Sequence, residues 1–160
     1  MKIDKAEARE DFDEFLMAMD DQLEWLEGEA SKRGVLLDKS SDIPEEIERL
    51  FDLMSENMSE DDVSRLLVVF GRYLGEYVRI NHGGKWVLPL EDEKNINFNI
   101  PVITGHSKVQ GLEFAPIRVM RAYSLRRNAG VIRKAIENHI SPQILDLSEE
   151  LARENAAKGE

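Results

Sequence analysis

Phe70-Gly71-Arg72-Tyr73-Leu74-Gly75-Glu76-Tyr77-Val78-Arg79-Ile80-Asn81-His82-Gly83-Gly84-Lys85-Trp86 is the stretch on which the architecture of this chain turns. Gly71 and Gly75 interrupt what otherwise reads as a strongly apolar helix, where each costs about 1 kcal/mol against alanine. Gly83-Gly84 then ends the helix as a C-cap with positive φ, and Trp86 opens a strand. Glycines four residues apart let a second backbone approach. That spacing is best documented in membrane helices, so only its steric content carries over. Two readings stay open: a strand or helix of the same domain packs there, or a partner's helix does, which includes a homodimer.

Upstream, the helix begins where Ser59 precedes Asp62 by three residues, a capping-box spacing. Val63, Leu66, Leu67, Phe70, Tyr73, Leu74 and Tyr77 then form one broad apolar face at 100° per residue. Arg65, Arg72, Glu76 and Arg79 line up opposite, which makes this helix the expected spine of the domain. Before it, residues 4–31 read as one long amphipathic helix, with Phe12, Phe15, Leu16, Met19, Leu23 and Leu26 at three- and four-residue spacing. Gly34 ends that helix and Val35-Leu36-Leu37 connects it onward. A second helix starts near Asp42, which is expected to cap it with Glu45 completing the box. Pro44 is tolerated in its first turn, and Ile47, Leu50, Phe51 and Met54 face inward.

Downstream, the period changes. Trp86-Val87-Leu88 reads as a short strand, and residues 95–102 alternate polar and apolar strictly, the pattern of a strand buried on one side. A third strand is expected within residues 109–114, and Pro101 marks a strand end or edge. Pro116 opens a fourth helix to about Arg127. Asn128-Ala129-Gly130 breaks it before a helix over 131–139, and Ser141-Pro142 starts a last one carrying Ile144, Leu145, Leu147 and Leu151. Residues 153–160 are expected to fray. The fold class is therefore α+β: N-terminal helices, a small antiparallel sheet of two or three strands, and C-terminal helices packing back. At 160 residues the chain suits one domain, or a domain with residues 1–34 as an appended helical arm.

Cysteine is absent, which excludes disulfides, thiolate metal sites and cysteine nucleophiles and fits a reducing cytoplasm. No run of about 18 apolar residues suggests a membrane span, and with acidic sequence following Met1 no signal peptide is expected. Residues 1–62 carry 7 basic and 21 acidic side chains, whereas the rest of the chain is slightly basic, within a net charge of −11. Such asymmetry marks either a partner surface or simply soluble helices. The overall acidity argues against general nucleic-acid binding.

The candidates for chemistry are few. Glu76 lies between Arg72 and Arg79 at helical spacing, which a salt-bridge stripe explains; the alternative is an acid–base pair with His82. His106 and His139 fall in unrelated segments, no further carboxylate or histidine stands at ligand spacing, and no metal or cofactor is expected. His82-Gly83-Gly84 follows a helix, whereas phosphate loops precede one. Ser64, Ser107 and Ser124 lack a nucleophile motif. Arg118, Arg121, Arg126, Arg127, Arg133 and Lys134 make the C-terminal helices basic. They either neutralise the acidic helices of the same chain or meet an acidic partner, with nucleic acid the remaining option.

Tyr73-Leu74-Gly75-Glu76, followed by Arg79, Gly83-Gly84 and Trp86, resembles a signature of small bacterial protein families in which such a helix leads through Gly-Gly-x-Trp into a small sheet. The resemblance covers roughly residues 66–90. Small acidic cytosolic proteins of this build are similar to immunity proteins that neutralise a toxin from a neighbouring bacterium. The resemblance thus implies a non-enzymatic binding role and brings no catalytic residues. Asp11, Asp13 and Glu14, then Asp20, Asp21, Glu24 and Glu27, are the expected partner-binding residues, occluding a basic cleft on another protein. A secretion chaperone or adaptor is the alternative within the binding class. A hydrolase built around Glu76, His82, Arg72 and Arg79 is the alternative outside it.

Overall fold

Two buried glycines do not prevent the central helix from forming, because its apolar face outweighs them. Each fully buried large side chain contributes about 1.5–3 kcal/mol, and Phe70, Tyr73, Leu74 and Val78 are completely buried. In the computed structural model, which describes residues 2–140, this helix is α4 (Glu60–His82). Ser59 caps it through its hydroxyl, which accepts from the Asp62 N–H at 3.2 Å. Gly83, with φ 85°, ends it and donates its N–H to the Arg79 carbonyl. The expected helix from Ser141-Pro142 and the frayed end at 153–160 lie outside the described residues.

Among the described residues there are six helices and a two-stranded antiparallel sheet, an α+β architecture. α1 (Lys5–Met17), α2 (Met19–Lys32) and α3 (Pro44–Ser55) precede α4. β1 (Lys85–Val87) and β2 (Val102–Thr104) follow, with Trp86 opposite Ile103. α5 (Pro116–Arg126) and α6 (Val131–Ile140) close the order, and α5 packs along α4. Apolar residues from Phe15 in α1 to Ile136 in α6 belong to one buried cluster.

The structure departs from expectation in four places, each for a physical reason. The first helix is two helices, broken at Ala18. Arg72 of α4 donates its Nε–H to the Phe15 carbonyl at 3.2 Å, the oxygen that a continuous helix offers to Met19. A side chain entering the backbone ladder is a recognised cause of such a break. α3 takes no side-chain cap, because Asp42 turns away to pair with Arg133 at 2.9 Å and Ile43 occupies the cap position.

The alternating segment before β2 is no strand. Asn95 Oδ1 accepts the Asn97 N–H at 2.9 Å, and Phe98 and Ile100 donate back to the Asn95 and Asn97 carbonyls. Asparagine side chains thus win the backbone for turns. Burial is inverted from the strand pattern: Ile96 is 70% exposed while Asn97 is buried. The third strand reduces to a single bridge between Ile103 and Phe114.

His106 lies buried against Phe114 after β2, with neither ring nitrogen hydrogen-bonded among the described residues. Burial pushes its imidazole below the usual histidine range, and the nearby His139 and His82 push the same way. The unfolded chain therefore binds a proton near pH 6.5 that the folded chain refuses. This group has no effect on stability above that pH, and stability falls as pH drops below it. Urea unfolding between pH 7 and 5 is expected to show this loss, and His106→Leu to flatten it. An unchanged slope in the variant would assign the loss to other groups.

Candidate functional site

The glycine seam is an internal joint. A Cβ on Gly71 would stand 2.5 Å from Ile117 Cγ1 and 3.1 Å from Ile117 Cα, so α5 passes directly over it. A Cβ on Gly75 would overlap the Trp86 ring and lie 3.1 Å from Pro116 Cγ. Both glycines therefore meet neighbours of the same chain. Gly84, with φ 104°, brings the chain against β2: a Cβ there would lie 2.6 Å from the Thr104 carbonyl oxygen.

The polar stripe on α4 splits in two. Glu76 is nearly buried; it accepts from Arg79 Nε at 2.5 Å and Nη2 at 3.2 Å, and from Trp86 Nε1 at 3.2 Å. The bond to Glu76 raises the Arg79 pKa. Arg72, expected on the same stripe, instead lies on the Phe15 ring at 4.4 Å besides bonding the Phe15 carbonyl. His82 lines a separate groove with Asn81, Tyr77 and Arg133. Among the described residues, then, Glu76, Arg72, Arg79 and His82 form no common site; Arg79 and Trp86 complete the Glu76 hydrogen bonding. Trp86 also meets Phe15 edge-on at 5.1 Å, so the joint ties α1, α4 and β1 together.

On α1 and α2, Asp11, Asp13, Glu14, Asp20, Asp21 and Glu24 are exposed, and none has a cation within ion-pair distance among the described residues. Glu27 differs. It accepts from Lys39 Nζ at 3.1 Å and from the buried Tyr73 hydroxyl at 3.0 Å, so its role is to fasten α2 to α4. Burial, with the Glu27 charge beside it, pushes the Tyr73 phenol far above its usual range.

Two groups on this face carried no sequence signal as surface residues. Trp25 is 46% exposed and Met17 82% exposed, side chains that the helical period alone assigns to neither core nor partner. Beside Trp25, Gly28 leaves a notch in which an added Cβ would meet nothing within 4 Å. Asp21 and Glu24 border the same shallow depression.

The basic C-terminal helices are partly spent inside the molecule. Arg133 binds Glu45 and Asp42, and Arg127 binds Asp52 at 2.8 Å and lies over the Phe51 ring at 4.8 Å. These arginines therefore neutralise α3 and not α1–α2. Buried Glu48 of α3 accepts from the Gly130 N–H at 3.0 Å and the Ile132 N–H at 3.1 Å, the start of α6. Periodicity had no means of finding that contact.

Comparison with protein-family models, with curated proteins and with solved structures gives no match. No described helix is long and apolar enough to cross a membrane.

Proposed function

We propose that this chain is a non-enzymatic protein-binding protein whose α1–α2 face covers a basic cleft on a partner. In its most concrete form this is a bacterial immunity protein that neutralises a toxin by occlusion. The observation that carries the reading is a half-exposed tryptophan beside carboxylates that have no ion-pair partner among the described residues: Trp25, at the Gly28 notch, with Asp21 and Glu24 bordering the same depression. Tryptophan is enriched among the few residues that dominate interface energies. Surrounding charges steer encounter with an oppositely charged surface and set specificity. The two features divide the kinetics between them.

The partner is to be captured by crosslinking in the native host and then studied as a purified pair. Reversing Asp20, Asp21 and Glu24 to lysine is expected to slow association about tenfold or more at low salt, an effect that shrinks as salt is raised. Trp25→Ala is expected to speed dissociation about thirtyfold. A partner with an acidic contact surface, or association indifferent to the charge reversal, would overturn the reading.

A further inference from the structure

A groove of about 800 Å³ lies between α5, α6 and the loops around Asn97 and Glu113. That is within the size range of small-molecule sites. Val119, Ala122, Val131 and Ala135 supply apolar lining, and a hydrogen-bonded polar cluster borders it at Asn97. There, buried Asn97 donates from Nδ2 to Glu113 Oε1 at 3.0 Å and accepts from Arg118 Nη1 at 2.9 Å. Asn95 holds the same carboxylate at 3.0 and 3.2 Å. The buried amide orients the Arg118 guanidinium and uses one of its five donors.

Arg118, Arg126 and Lys134 all line the groove, and among the described residues none of them pairs with a carboxylate. The neighbouring Arg127 and Arg133 do pair. Among the described residues, three cations thus stand unmatched around one concavity. Glu113, whose oxygens are held by two asparagine amides, offsets only part of that charge.

We propose that this groove binds a small organic acid, its carboxylate on Arg118 and its apolar body on the α5–α6 lining. Guanidinium matches a planar carboxylate with two parallel hydrogen bonds. The Glu113 charge, one amide away from Arg118, disfavours a phosphate dianion. The site is separate from the α1–α2 face and takes a ligand of opposite charge to that face's partner.

The probes are octanoate, the uncharged octan-1-ol and inorganic phosphate, each titrated into the full chain by calorimetry. Octanoate is expected to bind saturably at one site, at least tenfold tighter than either of the other two. Arg118→Gln is expected to weaken it about tenfold or more, while Arg121→Gln, on the exposed side of α5 away from the groove, leaves it unchanged. Circular dichroism reports whether Arg118→Gln remains folded. If it does not, the exposed Lys134→Gln decides, with an expected loss of about threefold. No saturable octanoate binding, equal binding of octan-1-ol or phosphate, or affinity undiminished in the folded groove variant would each overturn the proposal.

Discussion

Glu48→Ala is expected to lower the unfolding free energy by about 3–4 kcal/mol, a large share of what a domain of this size commonly has. Glu48 is 4% exposed, and its two oxygens accept separate amides at the start of α6. Each hydrogen bond to a charged group contributes about 1.5–3 kcal/mol net, and the N-terminal end of a helix favours a negative charge. Alanine removes both acceptors at once and leaves the amides facing an apolar contact. Glu48→Gln keeps one acceptor without the charge, so about half of the loss is expected. Urea unfolding followed by circular dichroism measures both. Hydrogen exchange should localise the damage to α6, a ten-residue helix that is marginal by itself. An alanine variant within about 1 kcal/mol of the parent would show that water replaces the carboxylate freely.

Gly75→Ala is the second large effect, with a net loss of about 2 kcal/mol or more. Helix propensity alone predicts a gain of about 1 kcal/mol, so the two considerations have opposite signs. Packing decides. The new methyl would occupy the place of the Trp86 ring, and that ring cannot yield easily: its Nε1 is bound to Glu76 and its edge rests on Phe15. Overpacking of this kind costs about 1–3 kcal/mol or more, because neighbours must leave their rotamers. Gly28→Ala is the internal control, since nothing lies within 4 Å of its added Cβ. It is expected to stabilise by about 0.5–1 kcal/mol. If Gly75→Ala also stabilised, the seam would be looser than its geometry implies.

These two residues show unequally well in the sequence. Gly75 was visible because a glycine inside an apolar helix breaks a rule and calls for a neighbour, although the sequence names neither Trp86 nor Pro116. Glu48 broke no rule, since an acid on an amphipathic helix is ordinary and its partners are 82 and 84 residues away. Helices were legible wherever a cap or a glycine punctuated a strong period, as at Ser59 and Gly83. The asparagines of the 95–100 segment misled for a related reason. Their alternation with Ile96, Phe98 and Ile100 mimics a strand, while their side chains compete for the backbone that a strand would need. Of the surface features, the acids of α1–α2 were plain from charge alone. Trp25 and the Arg118 groove needed three-dimensional neighbours to be noticed.

The break at Ala18 also has a bearing on synthesis. Arg72, whose donor enters the ladder at Phe15, lies 57 residues further along the chain. When the first two helices are synthesised, the guanidinium that interrupts their ladder does not yet exist. Nothing local at Ala18, neither proline nor glycine, instructs the chain to turn there. The nascent segment therefore lacks the contact that enters the ladder at Phe15, and gains it only when α4 docks. The shape of the molecule's most charged surface is thus written late, by a residue that does not belong to it.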